Sequence, residues 1–157
     1  MKGTDACLST PLGHPTMIAL RQEEFDMDFT VSLEGEITDG QCSGICAFYN
    51  GDYHYDIYVT RDGDTHKVCL RKRVADIEVV VASAPIDYNG KITLKIVSSD
   101  EWYRFFYEKN GEFVELGKGA SALLCTETNG RSFTGTFFGI FSERGDILVR
   151  SAHVSKI

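Results

Sequence analysis

Apolar and polar residues alternate along much of this chain. Phe25, Met27, Phe29, Val31 and Leu33 occupy every second position, with Asp26, Asp28, Thr30, Ser32 and Glu34 between them. Successive side chains on a strand point to opposite faces, so this run predicts a long strand with one apolar and one wet face. Tyr53, Tyr55, Ile57 and Val59 alternate with His54, Asp56, Tyr58 and Thr60 and predict another. Further strands are expected at Thr16–Leu20, Ser43–Tyr49, Lys67–Lys72, Ile77–Ala82, Lys91–Val97, Tyr103–Glu108, Phe113–Leu116, Thr134–Phe141 and Asp146–Val154. No stretch holds a helical period, and Ser121–Cys125 has room for one short turn.

Turn chemistry separates these runs: Asn50-Gly51-Asp52, Asp62-Gly63-Asp64, Asn89-Gly90, Asn110-Gly111 and Asn129-Gly130. Asn-Gly favours hairpins because both residues tolerate positive φ. Many short strands at roughly ten-residue spacing predict an all-β antiparallel sandwich or barrel. With no linker or repeat in sight, residues 1–157 read as a single domain.

The chain has 157 residues, 43% hydrophobic and 25% charged, enough to fill one core and too apolar for a disordered segment. No apolar run reaches the ~18 residues of a membrane helix, so no membrane partner is expected. Met1-Lys2-Gly3-Thr4-Asp5 lacks the apolar core of an export signal. The net charge of −7 argues against nucleic acid, which needs a concentrated basic footprint. The densest basic run, Arg71-Lys72-Arg73, reads as a solvated strand end.

Cys7, Cys42, Cys46, Cys69 and Cys125 are odd in number and scattered, unlike a disulfide framework. They read as reduced, mostly buried thiols of a cytoplasmic protein. Cys42 and Cys46 share a strand face, but no second close pair completes a zinc site, and no metal site is expected. Asp62-Gly63-Asp64 is oxygen-rich, yet calcium takes 6–8 oxygen ligands and no third acid adjoins it. No cofactor is expected, with calcium the one cation this loop brings into question.

Three groups could carry chemistry. Glu24, Asp26 and Asp28 would share one strand face about 6.6 Å apart, within the range of paired glycosidase carboxyls, but an acidic solvent face explains them as simply. His54 and Asp56 share a face with Tyr58 beyond them; the pair could orient a base, or sit on the surface with no nucleophile beside it. Tyr and Trp rings next to strands, Trp102 among them, could stack on sugar rings if they point outward. A last segment, 129–140, brings a glycine-led loop into an apolar strand with two glycines, with Arg131 and Phe133 at the loop end, where function concentrates.

Phe133-Thr134-Gly135-Thr136-Phe137-Phe138-Gly139-Ile140 resembles the F-T-G signature near the end of glycoside hydrolase family 43 β-xylosidases, in their C-terminal concanavalin A-like domain. Other segments resemble that domain in the same order: Thr16–Phe25 its R-Q-containing start, Phe29–Leu33 the next strand, Gly44–Asn50 and Tyr53–Thr60 the two after it, and Phe105–Gly117 its D-G hairpin. Two features differ: Phe113 stands where the domain often has tryptophan, and Ser151–Ile157 lacks its acidic and aromatic ending.

The resemblance implies a two-sheet antiparallel jelly-roll sandwich packed beside a five-bladed catalytic propeller, in the same or another chain. The propeller carries the family's catalytic acids, so no catalytic residue is expected here. The resemblance further implies an accessory domain that shapes the pocket for a plant-type oligosaccharide, a xyloside or an arabinoside, or binds carbohydrate weakly. Phe133, with Arg131, would reach that pocket; His54, Asp56, Tyr58 and Trp102 are the remaining candidate sugar contacts. The alternative is a free-standing lectin-like carbohydrate-binding module.

Overall fold

A computed structural model describes residues 1–11, 13–129 and 135–157. Eleven strands run through them: β1 (Thr16–Arg21), β2 (Met27–Glu34), β3 (Cys42–Asn50), β4 (Tyr53–Asp62), β5 (Thr65–Val74), β6 (Ile77–Ile86), β7 (Lys91–Ser98), β8 (Trp102–Lys109), β9 (Glu112–Ala120), β10 (Phe137–Glu143) and β11 (Leu148–Lys156). A 3₁₀ turn, Ser121–Leu124, and one helical turn, Thr126–Asn129, follow β9.

The strands form two antiparallel sheets. One has six strands in the order β1-β10-β3-β4-β5-β6, and the other five in the order β11-β2-β7-β8-β9. Alternation sets which side chains meet between them. In β2, Met27, Phe29, Val31 and Leu33 are buried and the intervening residues half-buried. Tyr55, Ile57 and Val59 of β4 face Leu94 and Ile96 of β7 and Phe105 of β8 in the same core. Rings lock the layers: Phe29 stacks on Phe138 at 5.2 Å, and Tyr55 meets Phe105 edge-on at 6.3 Å. Each large side chain so buried contributes about 1.5–3 kcal/mol.

Asn50-Gly51-Asp52, Asp62-Gly63-Asp64 and Asn110-Gly111 each join neighbouring antiparallel strands as hairpin turns. Between β8 and β9, Asn110 and Gly111 both take positive φ, 54° and 82°, as a tight two-residue turn requires. Asn89-Gly90 closes no hairpin: β6 and β7 belong to different sheets, as do β9 and β10, so the chain changes sheet between each of these pairs instead of folding back.

The six-stranded sheet has a second covered face. Leu8 is 2% exposed and packs with Cys42, Cys46, Tyr58, Cys69 and Phe141 on the side away from the main core. The N-terminal segment lies over this face. It starts at the β10–β11 corner, where the Met1 amine donates to the Ile147 carbonyl (2.6 Å) and Arg144 N–H donates to the Thr4 carbonyl (2.8 Å). It reaches β6, where the Ser9 hydroxyl donates to Glu78. It then returns to β1, and its two arms meet where Thr4 Oγ1 donates to the His14 carbonyl (3.4 Å).

Candidate functional site

The face under the N-terminal segment holds the most unusual chemistry of the described residues. His54, Asp56 and Tyr58 point there from β4, Arg71 from β5 and Glu143 from β10. Asp56 lies directly across from Arg71 in the strand register, so the two charges meet without any loop to position them. Arg71 Nε donates to Asp56 Oδ2 at 2.5 Å, and its two terminal nitrogens donate to Glu143 at 2.9 and 3.3 Å. Asp56 Oδ1 is hydrogen-bonded to His54 Nδ1. Leu8 N–H donates to Glu143 Oε1 at 3.0 Å and closes the cluster from above. His54 and Asp56 are 0% exposed, Glu143 1% and Arg71 7%. One polar atom is left over: His54 Nε2 is buried and has no hydrogen-bond partner.

The electrostatics follow from this packing. Burial pushes the Asp56 carboxyl up, but the charges of His54 and Arg71 and their hydrogen bonds outweigh it, and it is held below the ordinary carboxylate value. Burial alone would lower Arg71; Asp56 and Glu143 reverse that and hold the guanidinium charged. Arg71 also stands over the Tyr58 ring at 5.2 Å. Burial pushes the Tyr58 phenol up, as it does the thiols of Cys42, Cys46 and Cys69.

These positions correct two expectations. His54 and Asp56 are not a surface pair, and Arg71 is not a solvated strand end. Both readings assumed that the polar side of an alternating strand faces water, whereas a second layer, the N-terminal segment, covers it here. Arg71, Glu143 and Leu8 were missed for that reason. Cross-strand pairing of opposite charges, once the register is known, finds Arg71 opposite Asp56; Glu143 lies on a strand not adjacent to either and Leu8 on no strand, and no local signal marks them.

The other candidates are dispersed. Trp102 lies half-buried at the start of β8 on the other sheet; the Lys118 ammonium sits 3.8 Å over its ring and its indole N–H donates to Glu101. Arg131 and Phe133 lie outside the described residues. The acidic trio does not line one strand: Glu24 and Asp26 precede β2, Glu24 is 2.6 Å from Lys156, and Asp28 is 2.9 Å from Lys95. Asp62 holds Lys67 at 2.8 Å, and no cluster of three or more metal-ligating side chains occurs among the described residues.

One open groove borders Gly135 and Thr136, where the described residues resume. It runs between residues 22–25, Tyr103 and the stretch around Leu124 and Thr136. Gln22 is its frame: Tyr103 donates to Gln22 Oε1 (2.6 Å), and Gln22 Nε2 donates to the Glu24 carbonyl (2.8 Å). Beside it Ile18 and Leu20 of the edge strand β1 and Phe25 of the β1–β2 connection are 60%, 53% and 69% exposed.

This architecture, two facing antiparallel sheets with the N-terminal segment over one of them, is that of a concanavalin A-like sandwich. A profile of the family described as "Beta xylosidase C-terminal Concanavalin A-like domain" matches residues 1–148, and the chain belongs to that family. Solved structures share the fold. A GH43B protein of a Bacteroides ovatus xyloglucan locus superposes with a TM-score of 0.87 at 20% identity, over 100% of this chain and 32% of its own. A xylan β-1,4-xylosidase from Bacillus halodurans C-125 superposes with a TM-score of 0.89 at 16% identity, over 99% of this chain and 32% of its own. This chain thus spans about a third of the length of these proteins.

Proposed function

We propose that this chain is the non-catalytic accessory domain of a family 43-type glycoside hydrolase and packs beside its catalytic propeller. The family match over residues 1–148 carries this reading. Two features of the surface support it. Of the acidic side chains considered for catalysis, Glu24 and Asp28 are held in separate ion pairs and Asp56 is buried under the N-terminal segment, while Asp26 stands exposed with no carboxyl partner beside it among the described residues. The exposed apolar side chains of Ile18, Leu20 and Phe25 cluster at the groove lined by Tyr103, Leu124 and Thr136, and would make one docking surface for the propeller. The substrate class would be a xyloside or an arabinoside.

The test uses the purified chain, alone and mixed with the catalytic domain encoded with it. Alone it should hydrolyse neither aryl β-xyloside nor aryl α-arabinofuranoside. Mixed, it should co-elute in size exclusion, and Leu20→Glu with Phe25→Asp should abolish the complex. Hydrolysis by the chain alone, lost in Asp26→Ala, would overturn the proposal. Tight glycan binding by the chain alone, with no complex formed, would favour the free-standing carbohydrate-binding module.

A further inference from the structure

We infer that the N-terminal segment is a lid over a saccharide-binding face of the six-stranded sheet, with Leu8 as its latch. This goes beyond the accessory role; the choice of xylobiose as the probe rests on the substrate class proposed above.

The first observation is the cluster itself. A buried ion pair is no more stabilising than well-packed apolar residues, so four ionisable side chains on a covered face are not explained by stability. The second is the orphan. With Nδ1 engaged by Asp56, the His54 ring has one remaining hydrogen-bonding atom, Nε2, and it is buried without a partner. Buried polar atoms in folded proteins are nearly always satisfied by protein or ordered water, so this one leaves a hydrogen-bonding position that a water or a ligand hydroxyl would fill. The third is the cover. Among the described residues of the segment, only Leu8 is buried; its neighbours are half-buried or exposed. Residues 1–4 are pinned to the β10–β11 corner by backbone bonds and form the fixed end; beyond them the segment is held over the cluster by the Leu8 side chain, the Leu8–Glu143 hydrogen bond, the Arg144–Cys7 contact at 3.9 Å and the Ser9–Glu78 contact at the far edge.

The ligand class follows from the signs of the charges. Asp56 and Glu143 repel an anion, and Arg71 repels a cation. A neutral ring bearing adjacent hydroxyls suits both, because each hydroxyl donates to a carboxylate and accepts from a guanidinium. Flat apolar surface is at hand: the Tyr58 ring lies beside Arg71 and meets Phe141 edge-on at 6.4 Å, and Phe48 stacks on His54 at 5.7 Å. When the lid lifts, Glu143 loses its bond to Leu8 N–H, and a sugar hydroxyl takes that place.

A closed lid lowers apparent affinity by the fraction of molecules that are open. Leu8→Ser removes the latch, and should raise the affinity for xylobiose at least about tenfold over the native chain, read by calorimetry. Arg71→Gln in the Leu8→Ser background should abolish the binding while both variants keep the native circular dichroism spectrum. Amide exchange of the native chain supplies an independent readout: Leu8 N–H should exchange faster than the amides of β3 and β4, by opening that leaves the sandwich folded. The inference is overturned if Leu8 exchanges only with global unfolding. It is equally overturned if the opened variant binds inorganic phosphate and not xylobiose, or binds neither. Should Leu8→Ser fail to fold, xylobiose titrated into the native chain and followed at the His54 and Tyr58 resonances decides, and unmoved resonances at saturating sugar refute it.

Discussion

Replacing Arg71 with methionine isolates the energetics of the covered charge cluster. The guanidinium is 7% exposed and donates to Asp56 at 2.5 Å and to Glu143 at 2.9 and 3.3 Å. Methionine fills most of the volume but leaves two carboxylates, 0% and 1% exposed, without the guanidinium that joins them, with only His54 left at Asp56 and Arg144 3.9 Å from Glu143. Removing one member of a buried ion pair costs about 3–5 kcal/mol, because the abandoned charge stays desolvated. For a chain of this size that is a fall in Tm of roughly 6–20 °C. Urea unfolding at neutral pH gives the number directly.

The pH dependence gives a second, sharper reading of the same variant. In the native protein the Asp56 carboxyl is held below its unfolded value. Its contribution is therefore present above the unfolded pKa and is lost as pH falls through the lower folded one. In Arg71→Met, burial acts with one opposing cation gone and raises the folded pKa. The folded state then takes up protons, and stability improves relative to wild type as pH falls through the carboxylate range. The gap between the two proteins should narrow from pH 7 to pH 4. Adding Asp56→Asn and Glu143→Gln to Arg71→Met should recover much of the loss at pH 7. A cost below about 1 kcal/mol, or a gap that stays constant with pH, would refute the buried-charge reasoning.

Three other outcomes follow from packing and burial. Gly44→Ala should destabilise by about 3 kcal/mol in urea melts, since a Cβ there would lie 2.1 Å from the Ile57 carbonyl oxygen and 2.6 Å from Tyr58 Cα, both backbone atoms. In an ultraviolet titration, Tyr55 and Tyr88, each pushed to about 12 by burial, should ionise well after ordinary phenols; the stability linked to them is present below about pH 10 and lost as pH rises toward 12. Ellman's reagent should label half-exposed Cys7 and Cys125 first and reach buried Cys42, Cys46 and Cys69 only on unfolding, because burial both hides these three thiols and raises their pKa.

The strands were legible because alternation is a local signal. The β2 run showed its buried face residue by residue, and the start of every strand came within three residues of where the pattern placed it. Glycine in β10 was legible too: a Cβ on Gly139 would sit 2.7 Å from Cys46 Sγ, the close approach that a strand glycine suggests. Phe25 went the other way. Its apolar character continued the β2 pattern, yet β2 begins at Met27 and Phe25 is 69% exposed. The face over His54, Asp56 and Arg71 was illegible for a different reason. Its cover comes from residues with no periodicity, more than forty positions away from the charges they enclose. Alternation tells which residues share a face and says nothing about what lies on it.

The seam between the first and last parts of the chain also sets an order of events during synthesis. Among the described residues β1 pairs with β10 alone, and Met1 and Thr4 bond to residues 143–147. At about 5–20 residues per second, the ribosome takes roughly 7–30 s between releasing the first residues and the ones that anchor them. During that interval Asp56 and Arg71 are already joined by adjacent strands, but Glu143 is not yet made, and Leu8 lacks the carboxylate that fixes its backbone. The edge of β3 that β10 will occupy stays open for the same time. Sealing of the outer face is thus a closing step of folding, and variants that weaken this seam should show their defect first as poor yield of folded chain, before any loss in the equilibrium stability of molecules that have folded.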